Sequence, residues 1–176
     1  MEVSNVTNLR KPFRLNVGFL INSPIGINRE FFFDSIALTS EDGLRISNIE
    51  GVAKISRTPQ GLLVQGNFSG TVPQECVRCL EDYEHKLQWE FIELYAFTTD
   101  NITESGLLVP DDAQIDLQTL VHDFALLEVP IKPICKPGCL GLCMECGQNL
   151  NERDCGHTPP NDSPFSALKE LFDSEN

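Results

Sequence analysis

Apolar and polar positions alternate from Phe13 to Phe19, with Phe13, Leu15, Val17 and Phe19 set apart by Arg14, Asn16 and Gly18. That period of two predicts a half-buried strand. Four more strands are predicted over 30–38, 44–57, 61–72 and 83–97, segments rich in Phe, Ile and Val and separated by turn residues. Between two of them, Thr58-Pro59-Gln60-Gly61 reads as a hairpin turn, because proline presets one torsion and glycine tolerates positive φ. Sequential strands with short connections give an antiparallel sheet, so the class is α+β with a barrel-like or sandwich-like half.

The pattern changes after residue 98. Residues 99–114 are polar at both ends and predict an acidic loop or linker. A helix follows: Asp116 is placed to cap it, Leu117, Leu120, Val121, Phe124 and Leu127 form one apolar stripe, and Pro130 ends it. An extended stretch through Pro133 and Pro137 then leads to a short C-terminal helix, begun by Ser163-Pro164 and carrying Phe165, Leu168, Leu171 and Phe172. So short a helix is marginal alone, which predicts docking on the body or on a partner. The expected organisation is a mainly β domain over 1–98, a linker over 99–114, and a helical, cysteine-rich part over 115–176 packed on the β part.

Charge narrows the choice of function. With 13 Lys and Arg against 26 Asp and Glu, the chain of 176 residues carries −13, which repels a phosphate backbone. The excess is concentrated: residues 1–74 hold 7 basic and 6 acidic groups, 75–128 hold 2 and 13, and 129–176 hold 4 and 7. Such a middle is either a solvated face or a docking surface for a basic partner. No apolar run approaches the roughly 20 residues that span a bilayer, and the first residues lack a secretory pattern and any evident transit peptide. The expected location is therefore the cytoplasm, with no membrane partner.

In a reducing compartment, 7 cysteines favour metal binding over disulfides. Five follow the pattern Cys135-x3-Cys139-x3-Cys143-x2-Cys146-x8-Cys155, with His157 two places on, and the other two form Cys76-Val77-Arg78-Cys79. A Cys-x2-Cys turn lets two thiolates face one ion while backbone amides stabilise the sulfur charge, and zinc takes four such N or S ligands. The eight candidate ligands suffice for two sites or for one site with spare thiols. Two pairings compete: a local knuckle of Cys143, Cys146, Cys155 and His157, or with Cys139 or Cys135 substituted, and a long-range site joining Cys76 and Cys79 to two later cysteines. A thioredoxin-like redox pair needs a strand-to-helix junction, and the spacing matches neither ferredoxin pattern.

Four protein ligands leave no open metal position, and no nucleophile elbow, phosphate loop, dinucleotide fingerprint or His-Glu-x-x-His is present. Neither His85 nor His122 has a nucleophilic partner nearby in sequence. The expectation is a protein that is not an enzyme and takes no small-molecule substrate.

Several features carry a family resemblance: Cys76-Val-Arg-Cys79-Leu80-Glu81, Asp116-Leu117, Leu126-Leu127-Glu128-Val129-Pro130, then Cys135-x3-Cys139-Leu-Gly-Leu-Cys143-x2-Cys146-Gly147-x-Asn149-Leu150-Asn151-x3-Cys155. Together with Arg57-Thr58-Pro59-Gln60-Gly61-Leu62-Leu63-Val64-x-Gly66 and Pro164-Phe165-x-x-Leu168, they resemble the YceD family of large ribosomal RNA subunit accumulation proteins. His157 stands where a cysteine is expected in the family's cysteine-rich members, and histidine can replace cysteine on zinc. The resemblance implies a bacterial or organellar factor that supports 23S ribosomal RNA accumulation and large-subunit biogenesis, without catalysis. The absence of an evident transit peptide favours a bacterial cytoplasm, and structural zinc, one or two ions, is the expectation from the cysteine spacing. Ribosomal or assembly proteins are the expected partners, met through the acidic middle. Direct RNA binding is the alternative, using Arg10, Lys11, Arg14, Arg29, Arg45, Lys54 and Arg57 with Phe13 or other aromatics for stacking. A thiol redox or metal-handling protein is a third.

Overall fold

The computed structural model describes residues 11–39 and 43–157. Its elements are β1 (Arg14–Asn16), α1 (Gly18–Ile21), β2 (Asn28–Thr39), β3 (Arg45–Arg57), β4 (Gly61–Glu75), β5 (Asp82–Ala96), a 3₁₀ turn (Thr99–Asn101), β6 (Gln114–Asp116) and α2 (Gln118–Glu128). A four-stranded sheet runs in the order β2-β3-β4-β5, and β1 pairs with β6 in a separate two-stranded sheet. The hairpin at 58–61 forms as expected: Thr58 N–H donates to the Gly61 carbonyl at 2.9 Å, and its hydroxyl accepts from the Gly61 N–H at 3.1 Å. Gly61 allows a close approach there, since a Cβ would stand 2.2 Å from the Tyr95 carbonyl oxygen.

Two expectations about the β part are corrected. The sheets are open and no barrel closes among the described residues; four long strands are too few for closure. The predicted strand over 13–19 stops at Asn16. The Asn16 side chain accepts the Gly18 N–H at 3.0 Å, a local bond that turns the chain into α1, although Phe13, Leu15 and Val17 stay buried.

The chain divides into two compact units, one comprising residues up to 74 with 84–131, the other 75–83 with residues from 132 on. In the first unit an aromatic run crosses the core: Phe13 to Phe33 at 5.2 Å, Phe33 to Phe68 at 5.4 Å, Phe68 to Phe91 at 5.9 Å, and Phe91 to Phe124 of α2 at 5.2 Å. Helix α2 presents Leu117, Val121 and Ala125 to this core, with Leu120 and Phe124 half-buried. Leu127 is the exception to the predicted stripe: two positions past Ala125 it points away and is 77% exposed. Leu117 rather than Asp116 takes the N-cap position of α2, and Asp116, one place earlier, accepts the Gln118 N–H at 3.0 Å. Residues 99–114 are tied down, with Ala96 N–H donating to Leu107 O at 3.0 Å and Val109 N–H to Ala96 O at 2.9 Å. The predicted C-terminal helix lies outside the described residues.

Candidate metal centre

All eight predicted ligands fall in the second unit. They form two groups of four, Cys76, Cys79, Cys135 and Cys139, then Cys143, Cys146, Cys155 and His157, each with its ligand atoms within 4.8 Å of one another. The long-range and local pairings therefore coexist, and Cys135 and Cys139 belong to the first group rather than the local knuckle. Sulfur–metal bonds of about 2.3 Å in a tetrahedron set sulfurs about 3.8 Å apart. Cys76 and Cys139 stand at 3.8 Å and Cys79 and Cys135 at 3.7 Å. In the second group, His157 Nδ1 lies 3.8 Å from Cys143 Sγ and 3.4 Å from Cys155 Sγ. Both sets fit a thiolate-preferring tetrahedral ion.

Local sequence builds the two knuckles alike. At the first, Leu80 N–H donates to Cys76 O at 2.9 Å and Cys76 N–H to Glu81 O at 2.9 Å. At the second, Gly147 N–H donates to Cys143 O at 2.9 Å and Cys143 N–H to Gln148 O at 2.8 Å. The fifth residue of each turn is left-handed: Gly147 has φ 72° and Leu80 has φ 59°. Glycine adopts that conformation freely, whereas leucine is strained in it. The remaining two ligands of the first group arrive on 135–139, fastened by Val77 N–H to Pro133 O at 2.9 Å and by the Arg78 guanidinium to Cys139 O at 2.9 Å.

Four thiols this close cannot all ionise without a cation, and the shifts reflect that. Burial disfavours charge at Cys76, but backbone N–H groups at Cys135, Cys79 and Arg78 prevail and pull it down to about 6. Cys139 is likewise lowered: burial opposes its charge, while the Asn151 side chain and the Gly141 backbone favour it. The Glu81 backbone N–H favours the Cys79 thiolate, yet burial and the facing thiols of Cys76, Cys135 and Cys139 push it up to about 12. Burial likewise raises Cys135. In the second group the backbone N–H groups of Cys146 and Glu145 bring Cys143 down to about 6, and the facing Cys143 raises Cys155 against the pull of the His157 backbone N–H.

Sequence reasoning did not assign roles to Arg78, Glu81, Asn149 and Asn151. The usable signal was the position shared by Glu81 and Gln148, each two places after its Cys-x2-Cys pair. The RNA-stacking role weighed for Phe13 is corrected, since its side chain is fully buried in the aromatic core. Arg14 is held by Asp112 at 2.8 Å, and the Arg57 guanidinium lies 4.1 Å from the centre of the Phe97 ring.

A family model described as "Large ribosomal RNA subunit accumulation protein YceD" matches residues 64–172, which take in both cysteine groups. The chain belongs to the YceD family. An uncharacterized protein of Mycobacterium tuberculosis is 32% identical over 162 residues, spanning 88% of this chain and 72% of its own length. Over shorter stretches the chain resembles a chloroplastic protein of Zea mays named as a YCED homolog in large ribosomal RNA subunit accumulation, 39% identical over 62 residues, 35% of this chain and 21% of that protein. An Arabidopsis thaliana homolog of the same name is 41% identical over 46 residues, 26% of this chain and 14% of that protein. No solved structure matches. YceD family membership thus rests on sequence, and the sorting of the eight ligands into two groups of four is what the structure adds to it.

Proposed function

We propose that this protein is a non-enzymatic factor supporting accumulation of large-subunit ribosomal RNA, built around two structural zinc ions. The observation that carries the reading is the grouping of all seven cysteines and His157 into two closed sets of four ligands. A closed set offers no position for water or substrate, so zinc would contribute folding free energy rather than chemistry. Cys76, Cys79, Cys135 and Cys139 would hold one ion, and Cys143, Cys146, Cys155 and His157 the other.

The family name supports the ribosomal role. Glu84, Glu90, Asp111, Asp123 and Glu128 of the first unit are exposed, which fits steering toward a basic ribosomal or assembly protein. No helix among the described residues is long and apolar enough to cross a membrane, and the cytoplasm is the proposed site of action. Two measurements test the proposal. Elemental analysis of purified protein should give two zinc ions per chain, and none would overturn the structural role. Cells lacking the protein should show a lowered ratio of large- to small-subunit ribosomal RNA, restored by the wild-type chain but not by a Cys76→Ser, Cys146→Ser double variant. An unchanged ratio would overturn the ribosomal role.

A further inference from the structure

The loop between Cys146 and Cys155 belongs to the second cluster, yet its side chains reach the first. The Asn151 Nδ2 group lies 3.4 Å from Cys139 Sγ. Its orientation is fixed, because Asn151 Oδ1 accepts the Leu140 N–H at 2.9 Å and the amide must then turn its N–H donors toward the sulfur. Asn149 holds Asn151 in place, its Oδ1 accepting from Asn151 Nδ2 at 2.9 Å and from the Asn151 N–H at 3.0 Å. The Asn149 Nδ2 group donates to Glu81 at the first knuckle at 2.9 Å. Leu150 N–H to Gly141 O at 2.9 Å completes the seam.

We propose that Asn151 is a positioning residue that couples the two clusters, so that an ion in the second raises the affinity of the first. The inference rests on the two-ion reading above. An N–H donated to a thiolate stabilises its charge and fixes the sulfur lone pairs, and such outer contacts are worth about 10–100-fold in metal affinity. Residues 147–154 bury no side chain in an apolar cluster, so their order depends on Cys146 and Cys155 being tied at either end. An open second cluster therefore imposes the cost of ordering that loop on the first, and by linkage the effect is reciprocal.

The test titrates cobalt(II) and then zinc into the full-length chain against a chelating indicator. Visible bands separate the four-thiolate site from the one carrying an imidazole, and Trp89 fluorescence follows the sheet. Asn151→Asp keeps the acceptor for Leu140 but sets an oxygen against the sulfur. It should weaken the first site about 10–100-fold, while the second site loses only what a filled first site lends it. His157→Ala, which removes no ligand of the first site, should weaken that site too, and should no longer do so once Asn151→Asp is present. That loss of coupling is something a merely structural asparagine would not produce. If wild type holds two ions and either single variant leaves the first site unchanged, the coupling is wrong while the two-ion reading stands. If wild type holds none, both fall. The His157→Ala arm decides the matter even should Asn151→Asp fail to fold.

Discussion

The two units are held by different physics. In the sheet unit, a single apolar cluster runs from Phe13 through Phe68 and Phe91 to Val121 and Ala125. In the cysteine unit, among the described residues, the buried cluster is Cys76, Cys79 and Cys139, with Tyr83, Ile134 and Cys135 packed against it. The unit comprises 75–83 and the residues from 132 on, a size at which small domains commonly add a metal or disulfides to a core that is too small on its own. The lesson is that sulfur here stands where a core would otherwise be, and each unit should respond to its own insult.

The largest expected effect is metal removal. Apparent binding free energies of structural zinc run to about 10–16 kcal/mol, so excess chelator should abolish amide protection over 75–83 and 132–157 while β3 and β4 keep theirs in hydrogen exchange. Loss of protection in both regions together would refute the comparison. In the opposite direction, Phe68→Ala should cost about 3–5 kcal/mol in denaturant unfolding, because Phe68 is almost fully buried among four aromatic side chains, yet leave zinc content at its wild-type value.

A pH series sharpens the contrast. Raised thiols are protonated near neutrality and must lose those protons to bind metal, so affinity rises with pH. With Cys79 pushed up to about 12 and Cys135 also raised, at least two protons must leave, so first-site affinity should climb by about 100-fold or more per pH unit, and more steeply below about 6, where Cys76 also protonates. Stability of the cysteine unit follows the same sign, greater at pH 8 than at pH 6 at fixed zinc. A flat profile by competition titration would argue against thiolate ligation. The smallest effects are at the knuckle corners: Gly147→Ala should cost about 1 kcal/mol because of its φ of 72°, although nothing else lies within 4 Å. Leu80→Gly should relieve the matching strain and shift the melting midpoint slightly upward.

Much of this was legible in the chain. The four long strands and the 58–61 hairpin were readable because their signals are local: alternation, β-branched and aromatic residues, and a Pro-Gly turn. The end of β1 was not, because one asparagine side chain competing for a backbone N–H leaves no period to detect. The eight ligands could be named from spacing, but not sorted into fours. Cys76 and Cys139 are 63 positions apart, and only the fold decides such a meeting. Asn151 was hidden for the same reason, since its sulfur contact is made by folding rather than by proximity along the chain.

The long-range site also has a topological meaning. Cys79 and Cys135 are 56 positions apart, and the segment between them carries β5, β6 and α2. An ion bridging those sulfurs closes that stretch into a ring, and by the chain-entropy estimate for a cross-link of this span the unfolded polypeptide forfeits about 4 kcal/mol of freedom. Scarcity of zinc in the cell would open the ring and hand that freedom back to the unfolded polypeptide.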